Sequence, residues 1–182
     1  MHDPVPPGVR DRFEALYLAH YRAVHRYALR RTDSADDVAD VIAETFLIAW
    51  RRLGDIPQGE ATVLWLYGTA RRVLANHRRG ESRRTALASR LRDELAAGQE
   101  APLADPRTDA VRTAFADLAP ADREVLALAC WEELSGPQIA KVLGCSDTAA
   151  RLRLHRARKR LAKLLGTTGE VSVMAALRGE NR

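Results

Sequence analysis

The chain has little of what a catalyst, a secreted domain or a membrane protein needs. It has 182 residues but only two cysteines, Cys130 and Cys145. Each sits inside a helical pattern and is expected as a small buried hydrophobe, not as half of a disulfide or redox pair. The cysteines and the five histidines show no metal-ligand spacing. No apolar run is long enough to span a bilayer, so no membrane insertion is expected. The N-terminus, MHDPVPPGVRD, is proline-rich and lacks a signal peptide's apolar core, which makes cytoplasmic residence the expectation. A Walker glycine loop, a dinucleotide fingerprint and a nucleophile elbow are all missing. No catalytic residue, metal or cofactor is therefore expected, and the chain is not expected to be an enzyme.

What is present is enough apolar material for a core, 46% of residues, and abundant charge, 29%. The net charge is +5. Its distribution says more than its sum. Residues 71–84 hold six arginines against one acid, and residues 146–165 hold seven Lys and Arg against one acid. Residues 93–109 hold five acids against one arginine. Two basic patches joined by an acidic tether point to anionic partners for each patch.

Strand signals are scarce and helical periodicity is everywhere, which predicts an all-α chain of two small helical modules. The first module, residues 10–80, follows a short N-terminal stretch at 1–9. Its first helix runs roughly from Val9 to Arg31, burying Phe13, Leu16, Tyr17, His20, Val24, Tyr27 and Ala28. RTDSADD then breaks the chain, and Asp33 or Ser34 can cap the second helix, which runs to about Leu53. GDIPQGE is a loop, and a third helix covers roughly Ala61 to Arg79. Residues 81–108 read as a linker, in which Arg83 to Leu95 can extend as helix. The second module spans 109–166, with helices near 109–117, 121–132, 136–143 and 146–165. Residues 167–182 form a tail.

The second module carries helix-turn-helix chemistry. Ser135 and Gln138 form an S-x-x-Q capping box, and Pro137 lies in the first turn, where its missing N–H costs nothing. Gly144 stops that helix and Ser146 restarts the next. A short glycine-containing turn sets two helices at a steep angle, so that the second can enter a DNA major groove. On that second helix, Ala150, Leu154, Ala157, Leu161 and Leu165 form one apolar stripe. Thr148, Leu152, His155, Arg156 and Lys159 lie furthest from it and suit base edges. Arg151, Arg153, Arg158 and Arg160 flank them and suit phosphates.

The first module carries two further faces. On its third helix Trp65, Thr69, Arg72, Asn76 and Arg79 fall on one ridge. Aromatic, cation and amide together suit unstacked bases. The same ridge equally suits a tryptophan wedged against a neighbouring helix beside solvated arginines. On the second helix Asp36, Asp37, Asp40 and Glu44 make the early turns acidic. Such a face repels DNA, so it is either solvated or set against a basic protein.

Four segments in order carry a family resemblance: DDVADVIAETFLIAW (36–50), WLYGTARRVLANHRR (65–79), LAPADREVLAL (118–128) and GPQIAKVLGCSDTAARLRLHRARKRL (136–161). Together, over roughly residues 10–165, the chain resembles the extracytoplasmic-function (ECF) group of bacterial RNA polymerase sigma factors. The resemblance implies a region 2 module and a region 4 module, with core RNA polymerase and promoter DNA as partners. It sets Asp36, Asp37, Asp40 and Glu44 on the β′ clamp, and region 4 on the β flap. It implies that Trp65, Thr69, Arg72, Asn76, Arg78, Arg79, Arg83 and Arg84 melt and read the −10 element, with 78–84 as a loop and Asn76 at the position that captures a flipped base. It implies that Thr148, Arg151, Leu152, Arg153, His155, Arg156, Arg158 and Lys159 read the duplex −35 element. The acidic tether would thread toward the polymerase active-site channel. The family often pairs with an anti-sigma protein. Two departures stand out: Arg72 where the family usually has Asn, and Leu152 where it has a small polar residue.

Overall fold

The computed structural model describes residues 8–32, 34–88 and 106–166, with backbone alone for 80–88 and 106–109. Among the described residues all regular structure is helical. The chain divides into two compact units, Met1–Leu95 and Ala96–Arg182.

The first unit is a three-helix module of α1 (Val9–Leu29), α2 (Ala35–Arg51) and α3 (Glu60–Ala88), with a 3-10 turn at Leu53–Asp55. Ser34 caps α2: its hydroxyl oxygen accepts from the Asp37 N–H at 3.0 Å, and Asp37 Oδ2 accepts from that hydroxyl at 2.8 Å. The core forms where the apolar faces meet. Val24, Tyr27, Val41, Phe46, Leu66 and Val73 are all buried. Phe13 packs edge-on against Trp50 and Phe46, with ring centroids at 5.0 and 6.4 Å. Tyr27 stacks on Tyr67 of α3 at 5.0 Å, and the Arg31 guanidinium lies 3.6 Å from the Tyr27 ring centroid. These contacts fix α3 against α1. The early part of α1's inward row is wetter than its periodicity predicts: Phe13, Leu16 and His20 are half-buried and Tyr17 is 36% exposed.

α3 is longer than the sequence pattern predicts. It continues through Gly80 to Ala88, so residues 78–84 are helix and not loop. The reason is local propensity. Gly80 opposes the helix most, by about 1 kcal/mol, and Ser82 and Thr85 more mildly, whereas the arginines, alanines and leucine around them are good helix formers. The linker's remaining residues, 89–105, and the tail, 167–182, lie outside the described residues.

The second unit comprises α4 (Pro106–Ala116), α5 (Pro120–Cys130), α6 (Gly136–Leu143) and α7 (Asp147–Leu165). Its core is Leu118, Val125, Leu126, Leu128, Ile139, Val142, Ala157 and Leu161. α6 starts as the sequence predicts, with Gln138 Oε1 accepting from the Ser135 N–H at 2.8 Å. It ends at Gly144, whose φ of 64° lies in the left-handed region. A side chain there would meet open space, so the requirement for glycine is conformational, not steric. The Cys145 N–H then returns to the Ala140 carbonyl at 3.0 Å, and Ser146 caps α7 through the Ala149 N–H at 3.2 Å. α7 packs against α4, α5 and α6.

Candidate nucleic-acid interface

The cationic helix α7 divides by burial. Ala150, Ala157 and Leu161 are buried and Leu154 and Leu165 half-buried, so the apolar stripe is the seat of the helix. On the opposite side Thr148, Arg151, Leu152, Arg153, His155, Arg156 and Lys159 are all exposed. Leu152 is 45% exposed in the midst of these cations. The helix-turn-helix thereby brings a threonine, a leucine, a histidine and several cations onto one solvent-facing strip.

Two flanking cations behave differently. Arg160 Nη1 donates to both carboxylate oxygens of Asp122, at 2.8 and 2.6 Å. The Asp122 side chain is only 9% exposed, so Arg160 anchors α7 to α5 and is not spare for phosphate. Arg158 is half-buried and leans toward α5, close enough to Cys130 for its charge to act on the thiol. Desolvation raises the Cys130 pKa and Arg158 opposes the rise. Both cysteines are free, as expected, but neither is a core residue: Cys130 is exposed and Cys145 half-buried. Cys130 lies in the last turn of α5, where the helix leaves the core.

The ridge on α3 is narrower than its periodicity implies. Arg72, Asn76 and Arg79 are exposed and Trp65 is half-buried. Thr69 is 1% exposed: its hydroxyl donates to the Trp65 carbonyl at 2.9 Å and accepts from Arg72 Nη2 at 3.3 Å. Through this last bond it supports the Arg72 side chain, and, buried, it presents almost nothing to solvent. Arg79 donates to Asn76 Oδ1. Arg78 donates to the Arg31 carbonyl at 3.0 Å and ties α3 to the segment just after α1. The backbone at Arg83 and Arg84 continues α3, and their side chains lie outside the described residues.

The acidic residues of α2 also separate. Asp36 and Asp40 are exposed. Asp37 is engaged in the Ser34 cap, and Glu44 Oε2 lies 2.9 Å from His77 Nε2 on α3. Some exposed apolar residues escape the sequence reading, Leu47, Trp131 and Val111 among them. Leu47, 46% exposed, falls on the same line of α2 as Asp36 and Asp40, at i+11 and i+7. Its place outside the inward row is the signal that could have found it. Trp131, 40% exposed, packs its ring on Phe115 at 5.1 Å, and Val111, one turn before Phe115, is 39% exposed. Among the described residues no cluster of side chains could hold a metal ion, and no helix is long and apolar enough to cross a membrane.

Known proteins share these two modules. Residues 16–84 match the family model described as Sigma-70 region 2, and residues 108–161 match the one described as Sigma-70, region 4. The chain is 31% identical over 163 residues to the RNA polymerase sigma factor CarQ of Myxococcus xanthus, spanning 87% of this chain and 92% of CarQ. It is 31% identical over 161 residues to the ECF RNA polymerase sigma factor SigL of Mycobacterium tuberculosis, spanning 85% of this chain and 89% of SigL. It is 29% identical over 171 residues to the ECF RNA polymerase sigma factor BldN of Streptomyces coelicolor. That match spans 87% of this chain but only 62% of BldN. Among solved structures, the sigma factor RpoE in complex with the anti-sigma factor NepR from Bartonella quintana aligns with a TM-score of 0.64 at 23% identity, covering 84% of this chain and 96% of that one. CnrH in complex with the cytosolic domain of CnrY aligns with a TM-score of 0.57 at 27% identity, covering 84% and 86%.

Proposed function

Because the chain belongs to the sigma-70 family of RNA polymerase sigma factors, in its ECF group, we propose that it binds core polymerase and directs initiation by reading two promoter elements. One observation carries the reading. The first unit presents a ridge suited to single-stranded bases and, on a neighbouring helix, an acidic face that DNA would repel. A duplex-binding regulator needs neither. A subunit that hands melted DNA to a polymerase needs both.

In this reading α7 lies in the major groove of the −35 element. Thr148, Leu152, His155, Arg156 and Lys159 meet base edges, and Arg151 and Arg153 meet phosphates. Trp65, Arg72, Asn76 and Arg79 hold the melted −10 strand: the indole stacks, the guanidinium groups bind phosphate and the amide reads a base edge. Asp36 and Asp40 face the β′ clamp, with Leu47 as the apolar contact inside their acidic rim. The Val111–Phe115–Trp131 corner offers the second unit an apolar surface for the β flap. RpoE was solved with the anti-sigma factor NepR and CnrH with the cytosolic domain of CnrY, which supports a restraining protein partner here as well. Nucleotide chemistry belongs to the polymerase, and the chain works in the cytoplasm.

The test is to mix the full chain with core polymerase and a fragment library of host DNA, then map transcript starts. Starts that require both proteins and share two spaced elements are expected. Tight duplex binding by the chain alone, with no polymerase-dependent start, would overturn the reading. A narrower expectation concerns Asn76→Ala. Opening, followed by permanganate reactivity of unpaired thymines, should slow more than closed-complex binding weakens.

A further inference from the structure

Glu44 stands on the helix whose acids are assigned to polymerase, yet its carboxylate points across to α3. Oε2 lies 2.9 Å from His77 Nε2, between residues 33 positions apart. The two side chains are 42% and 28% exposed, so the contact is partly sheltered from water. His77 sits between two residues with other tasks. Asn76 is on the exposed ridge, and Arg78 is bonded to the Arg31 carbonyl. This single turn of α3 is therefore tied to α2 through His77 and to the segment just after α1 through Arg78, with Asn76 carried beside the two ties.

We propose that His77 is a positioning residue for strand capture: its bond to Glu44 fixes the turn that presents Asn76 and links that turn to the polymerase-facing helix. The inference rests on the reading of α3 as the −10 element's reader. A carboxylate has two oxygens and about four acceptor sites, so Glu44 can keep His77 on Oε2 while Oε1 meets a polymerase donor. Docking then need not break the tie. It excludes water from it, and a hydrogen bond in a drier surrounding is stronger. The polymerase-bound chain thus holds Asn76 in place more firmly than the free chain does. Glu44 serves both faces, whereas Asp36 and Asp40 serve one.

The experiment uses holoenzyme reconstituted from the full chain, on a promoter found by start mapping. Core affinity, closed-complex affinity and opening rate are measured separately. His77→Ala should leave both affinities within about twofold and slow opening about fivefold, the worth of one net hydrogen bond. His77→Gln, whose amide N–H can reach Glu44, should recover most of the rate. Glu44→Leu at saturating polymerase should slow opening as much as His77→Ala. The double variant should be no slower than either single one, because both remove the same bond. Opening within about twofold of wild type in Glu44→Leu would overturn the proposal, even where His77→Ala fails to fold. Equal slowing by His77→Ala and His77→Gln would also overturn it, since packing and not the bond would then matter. A wild-type chain that gives no polymerase-dependent starts would instead overturn the functional reading on which the inference rests.

Discussion

Leu152 shows what a single residue contributes to a charged surface. It is 45% exposed on the side of α7 that faces away from the core, so burial does not explain it. In the proposed docking it makes an apolar contact, with a thymine methyl as the matching group. Leu152→Ser should then lower the preference for that base by about fivefold, near the lower end of the cost of one mismatched pair. The salt dependence of binding should stay unchanged, because no phosphate contact is lost. Binding to −35 duplexes varied at each position, over a range of salt, measures both; an altered salt slope with unchanged preference would make the leucine a bystander. Other residue roles were not legible in the sequence. Periodicity put Thr69 on the ridge, but a threonine's short hydroxyl reaches its own helix's carbonyl, and the structure buries it. Asp37 and Glu44 counted as members of an acidic face, while their partners, a cap three residues back and a histidine 33 positions on, depend on three-dimensional geometry. His20 gives a pH prediction at the same scale. Burial lowers its folded-state pKa below the ordinary 6.5, so as pH falls the unfolded chain takes up the proton first. Its contribution is complete above about 6.5 and is lost as pH falls from there toward the lower folded value. His20→Gln should therefore narrow the stability difference between about pH 7.5 and about pH 5.5, read by urea denaturation.

Helix existence was readable, because amphipathic periodicity is a property of sequence alone. α2, α5, α6 and α7 begin and end within a few residues of their expected positions, and the caps at Ser34, Ser135 and Ser146 are where local chemistry put them. The length of α3 was less readable. A glycine inside an arginine-rich run resembles a loop in composition, yet helix propensity carries the backbone through it. What anchors each helix was also hidden. Arg160 is one of several cations on α7, and only its register opposite Asp122 makes it structural. Arg160→Ala should cost about 2 kcal/mol of stability, because it leaves a nearly buried carboxylate without its charged donor. Asp122→Ala should cost less, since Arg160 is 59% exposed and rehydrates. The salt slope of −35 binding separates the two kinds of cation. Arg153→Ala should reduce it by about 1, and Arg160→Ala should leave it unchanged. Chemical denaturation and salt titration of the same variants check both statements.

Across the chain, charge is sorted by helix. The net +5 conceals cationic surfaces on α3 and α7 and an acidic surface on α2. That sorting was plain in the sequence, as were the two helical modules, because both follow from the order of residues along the chain. The finer question is which acids face outward, and the structure divides them: Asp36 and Asp40 are exposed, Asp37 closes the Ser34 cap, and Glu44 holds His77. Reversing the exposed pair, Asp36→Lys with Asp40→Lys, should therefore weaken association with core polymerase about tenfold, mainly by slowing the encounter. The loss should shrink as salt rises and screens the exposed charges. Duplex binding by the free chain should not weaken, because the reversal adds positive charge and removes no cation. Asp37→Asn tests the division from the other side. It keeps an acceptor at the cap but loses the charge near the helix N-terminus, so it should cost about 0.5 kcal/mol of stability and leave polymerase association nearly intact. Competition binding to core polymerase and fluorescence anisotropy on duplex DNA read the two partners independently. If Asp37→Asn abolishes polymerase association while the Asp36 and Asp40 reversals leave it unchanged, the polymerase does not dock on the exposed line of α2 that also carries Leu47.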